Sequence, residues 1–167
     1  MSRLEFFAAP FRRSSFRFFG LLLAIVLVIL PAFPWFSQPP LPIAALWCAY
    51  GWAAEGADNW RAPTALALLG LLQDQMSGGP LGFYALIFVS AYLIGGVAAR
   101  TMRSAHLISP WTGFLGTALG VSLVAVLAAP PVFGVELAAV RPFVVAALIT
   151  VLLFPFVRPL YLSAGAQ

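Results

Sequence analysis

Long apolar runs, separated by short polar stretches, set the pattern of this chain. The runs cover about 18–36, 41–55, 62–77, 81–99, 111–129 and 142–157. A helix needs roughly 20 apolar residues to cross the ~30 Å hydrocarbon core of a bilayer. The runs show no sustained two-residue alternation, so they do not read as barrel strands. The spacing therefore predicts six transmembrane helices. Pro31 and Pro34 should kink the last turn of the first. Pro39, Pro40 and Pro42 form a stiff turn before the second, and Pro63 suits the first turn of the third. Gly78-Gly79-Pro80 ends the third run, Pro130-Pro131 closes the fifth, and Arg158-Pro159 closes the sixth.

Composition sharpens this picture. Hydrophobic residues make up 62% of the 167 positions and charged residues 8%. Soluble domains carry nearer ~25% charge, which excludes a water-soluble globular protein. Every basic residue is arginine and the net charge is only +4, a poor match to nucleic acid. The arginines instead report topology. With the N-terminus in the cytoplasm, Arg3, Arg12, Arg13, Arg17, Arg61, Arg100, Arg103 and Arg158 all fall inside. Only Arg141 falls outside, near Glu136. The bias predicts that both termini are cytoplasmic and that the number of spans is even.

The connections are short, so residues 1–167 read as a single polytopic membrane domain without a soluble catalytic module. The first run is too long for a secretory h-region and reads as an uncleaved anchor. In residues 1–17, Leu4, Phe6, Phe7, Phe11 and Phe16 interleave with arginines. That segment reads either as a cytoplasmic arm or as a strip lying along the inner lipid surface.

The third run holds the candidate chemistry. Its apolar part spans about 11 residues, or ~17 Å at 1.5 Å per residue, too short to cross the core. Gln73 and Asp74 must then lie within the helix, toward its outer end. A carboxylate at full depth costs about 2–3 kcal/mol. Gly70, Gln73, Asp74 and Ser77 share one helical face, while Leu68, Leu69, Leu72 and Met76 point elsewhere. This small, polar stripe should face the bundle. Three roles for Asp74 stay open: a structural one, capping the Gly78-Gly79-Pro80 turn or satisfying a buried amide; a partner contact; and proton or substrate binding.

Other features read as packing. Ala45, Ala49 and Ala53 repeat at every fourth position, as do Gly116 and Gly120; such stripes let helices approach closely. Trp35, Trp47, Trp52, Trp60 and Trp111 fall mostly near run ends, as interfacial anchors do. Ser90, Ser122 and Thr150 should bond along or across helices. His106 stands alone, so no metal site is expected, and lone Cys48 implies no disulfide. Neither a cofactor nor an enzymatic activity is indicated.

Gly70-Leu71-Leu72-Gln73-Asp74, followed by Ser77-Gly78 and Pro80-Leu81-Gly82, resembles the signature stretch of the rod shape-determining protein MreD family. The resemblance rests mainly on residues 63–86, with Trp47 and Tyr50 in the second run agreeing. It implies a multi-pass protein of the bacterial inner membrane within the cell-elongation complex. It also implies partners: an MreC-like membrane protein, RodA, a class B transpeptidase and membrane lipid. MreD-like proteins resemble in fold the six-helix substrate-binding components of energy-coupling-factor transporters. The resemblance makes Gly70, Gln73, Asp74, Ser77, Gly78, Pro80 and Gly82 the candidate partner- or ligand-binding residues.

Two functions follow. One is a non-enzymatic scaffold that docks MreC and positions peptidoglycan synthases to maintain cell shape. The alternative is a small-solute-binding subunit of an energy-coupling-type transporter. The latter usually carries an Ala-x-x-x-Ala motif in its first helix, whereas here Ala24 is followed four places on by Val28.

Overall fold

The computed structural model describes residues 20–30, 43–55, 60–104, 110–134 and 136–161. Over these residues it contains six helices and no strand. They are α1 (Gly20–Ile29), α2 (Ala44–Ala54), α3 (Arg61–Ser77), α4 (Phe83–Ser104), α5 (Pro110–Phe133) and α6 (Leu137–Tyr161). The segment 1–17, Trp35, the proline turn at 39–42 and His106 lie outside the described residues.

Three helices are long and apolar enough to cross a membrane among the described residues: Phe83–Thr101, Pro110–Phe133 and Val140–Arg158. The described residues are therefore all-helical in their regular structure and of membrane type. The second run is shorter than its expected span. α2 has 11 residues, about 16 Å, roughly half the hydrocarbon core. All of it except Trp52 is buried. Its sequence, AALWCAYGWAA, is apolar on every side, and such a helix belongs inside a protein.

α2 and α4 form the centre of the bundle. α4 packs against α2, α3 and α5, while α6 packs against α5 and α2. Close approach of α4 to its neighbours is set by small residues. A Cβ at Gly70 would lie 2.3 Å from the Ala85 Cα, so the α3 and α4 backbones touch there. A Cβ at Gly95 would lie 3.4 Å from the Tyr50 Cα, so α2 also approaches α4 there, less tightly than α3 does at Gly70. Ala45, Ala49 and Ala53 are all buried on α2, and Gly120 sits beside Ile94. Gly116 departs from the expected packing. It is exposed and a Cβ there would meet nothing within 4 Å, so it seats none of the described helices.

α5 runs past its expected end. Pro130 and Pro131 lie inside the helix, which stops only before Gly134, at φ +63°. Each proline lacks an N–H, so the carbonyls of Val126 and Leu127 lose their helical donors. Both residues lie on the exposed side of α5. The Gly134 amide donates to the Pro130 carbonyl at 3.1 Å and closes the last turn. α6 likewise begins before Pro142 and continues through Pro159, beyond the expected 142–157.

Two aromatic clusters mark opposite ends of the bundle. Phe114 and Phe154 stack with centroids 4.2 Å apart, and Tyr50 meets both edge-on. The Tyr50 hydroxyl donates to the Pro110 carbonyl at 3.1 Å. At the other end Phe83 meets Tyr84, Phe133 and Phe143 edge-on. That second cluster walls the corner between α3 and α4.

Candidate functional site

The corner is built by two glycines and one acid. α3 ends because Gly78 adopts the left-handed conformation, φ +65°, which a residue with a Cβ rarely takes. Gly82, at φ +92°, turns the chain into α4. The first amides of a helix have no carbonyl behind them to accept their hydrogens. In apolar surroundings each unmet amide is costly.

Asp74 meets this need from the preceding helix. Its side chain is 1% exposed. The Gly82 amide donates to Oδ2 at 2.8 Å and the Tyr84 amide donates to Oδ1 at 2.8 Å. The Phe83 amide between them donates to the Pro80 carbonyl at 3.3 Å. An acid at a helix N-terminus also complements the positive end of the helix dipole. Asp74 therefore acts as a remote cap on α4, and its two oxygens are committed to backbone.

The predicted site residues divide around this cap. Gly70, one turn before Asp74, lets α3 lie close enough for the carboxyl to reach α4. Gly82 supplies one of the donors. Gln73, Pro80 and Gly82 are half-buried, while Ser77 and Gly78 are exposed. The Ser77 hydroxyl donates to the Asp74 carbonyl at 3.3 Å. Leu68 and Met76 face outward and Leu69 is buried against the core, both directions open to residues off the stripe. Tyr84 and Ala85 escaped the sequence reading. They lie ten and eleven residues after Asp74, and an acid followed by a Gly-Pro turn was the available signal.

A second polar constellation joins α2, α5 and α6. Trp47 is a core residue and not an interfacial anchor. It is 2% exposed, and its indole N–H donates to the Thr150 carbonyl at 3.0 Å. The Ile43 amide, just before α2, donates to the Thr150 hydroxyl at 2.7 Å. That hydroxyl donates in turn to the Ala146 carbonyl at 2.6 Å. One residue on, Pro155 cannot donate to the Val151 carbonyl, and the Trp111 indole does so at 3.2 Å. Cys48 is buried, with its thiol 3.6 Å from the Gly20 carbonyl of α1.

No group of three His, Cys, Asp or Glu among the described residues could hold a metal ion. What the corner offers instead is a fixed edge. Ser77, Gly78, Gly79 and Leu81 are exposed along it, and Asp74 holds it from within. No family model, curated protein or solved structure matches this chain.

Proposed function

We propose that this chain is a non-enzymatic membrane scaffold of the MreD kind. In this reading it crosses the bacterial inner membrane six times, with both termini in the cytoplasm. It docks an MreC-like protein and helps position RodA and a class B transpeptidase for cell elongation. The observation that carries the proposal is the Asp74 cap. The stretch that resembles MreD, Gly70 to Gly82, coincides with a corner whose acid is spent on holding two helices. Both carboxyl oxygens already accept backbone amides, which favours a structural task over capture of a solute. The arginine distribution supports the orientation.

The test is co-purification of the tagged protein in mild detergent, followed by mass spectrometry. The expected companions are an MreC-like protein and a cell-wall synthase, with weaker recovery from Asp74→Ala. An ATPase module with its coupling subunit, in their place, would overturn the scaffold and install the transporter reading.

A further inference from the structure

Arg100 is placed unusually for a charge at the end of a membrane helix. It is the penultimate residue of the apolar stretch Phe83–Thr101. An arginine there commonly extends its head outward to water. Here the side chain folds back along α4, and its guanidinium lies over Gly96. A Cβ at position 96 would be 3.7 Å from Nη1, 3.9 Å from Nη2 and 3.8 Å from the Ala53 Cβ. The head therefore sits one turn, about 5 Å, inside its own Cα. Gly96 and Ala53 are buried and form the floor beneath it. Arg100 is exposed, and no described residue gives it a hydrogen bond or an ion pair.

The surroundings add positive charge. Arg61 begins α3 and Arg158 lies near the end of α6, at the same end of the bundle. Glu55, the C-cap of α2, is the one acidic residue described there. A planar guanidinium recognises phosphate through paired N–H donors. At the edge of an apolar span, the anion available at this depth is the phosphate of a lipid.

We propose that Arg100 binds the headgroup phosphate of an anionic membrane phospholipid in the notch between α2 and α4, above Gly96 and Ala53. The flanking Leu93 and Val97, both exposed on α4, then lie along the acyl chains. Arg61 and Arg158 add long-range attraction and Arg100 makes the contact.

The experiment is native mass spectrometry of the full-length protein from micelles doped with phosphatidylglycerol or with phosphatidylcholine. One cation near a membrane surface contributes about 1 kcal/mol, close to a fivefold change. Wild type should retain phosphatidylglycerol preferentially, and Arg100→Gln about fivefold less of it. Arg61→Gln should lower retention by a smaller factor. Arg100→Met keeps an unbranched apolar stem and serves if the glutamine variant does not fold. Inorganic phosphate should not displace the lipid. The proposal falls if a folded Arg100 variant retains lipid as wild type does. It falls equally if Arg61→Gln loses as much, if phosphatidylcholine is held as well, or if inorganic phosphate displaces the lipid.

Discussion

The α3–α4 corner and the Thr150 constellation solve the same problem with different chemistry. Both supply partners to backbone groups that helix geometry leaves unmet inside an apolar bundle. At the corner the unmet groups are amides, and an acid from eight and ten residues upstream accepts them. At Thr150 the connections run across more than a hundred residues and use only neutral groups. A charged-type side chain concentrates two bonds on one residue. The neutral solution spreads its bonds over Ile43, Trp47, Thr150 and Trp111. Loss of a single residue should therefore hurt the corner more.

The sharpest way to break this comparison is Asp74→Ala. It leaves the Gly82 and Tyr84 amides without an acceptor and should cost about 3 kcal/mol, read as unfolding free energy in detergent. Asp74→Asn keeps one acceptor oxygen and should fall between this variant and wild type. Next comes Gly70→Ala, which places a methyl 2.3 Å from the Ala85 Cα. Separating α3 from α4 should cost about 2 kcal/mol and lower the thermal midpoint. Thr150→Val preserves shape but strands the Ile43 amide, for about 1 kcal/mol. If it proves as damaging as Asp74→Ala, the neutral constellation is not distributed as described. Smallest is Gly116→Ala, on an open face, expected within about 0.5 kcal/mol of wild type by chemical denaturation.

The contrast also explains what could be read in advance. The helices were legible because apolar runs and Gly/Pro punctuation act locally. Of the α3 stripe, Gly70 and Asp74 were legible for the same reason, being one turn apart and both buried, whereas Gln73 is only half-buried and Ser77 is exposed. Which role Asp74 takes was not, because that depends on where the α4 amides fall. Trp47 was misplaced by grouping it with tryptophans at run ends: it lies mid-run in 41–55, and the sequence alone does not tell an indole facing headgroups from one facing a carbonyl on α6. Only the partner, 103 residues away, distinguishes them. The prolines of α5 misled in the opposite sense. Pro130-Pro131 is a local stop signal, and an exposed helical face tolerated the missing donors.

The burial of α2 has a consequence for synthesis. Its closing partner on α6, Thr150, is made 107 residues after Ile43. At ~5–20 residues per second, the ribosome needs about 5 to 20 s to cover that distance. Throughout that interval the Ile43 amide and the Trp47 indole lack their acceptors on α6. A helix half the width of the bilayer must then be held by its earlier neighbours alone. Translation order thus makes α6 the latch, and a pause before it prolongs the time the nascent chain spends open.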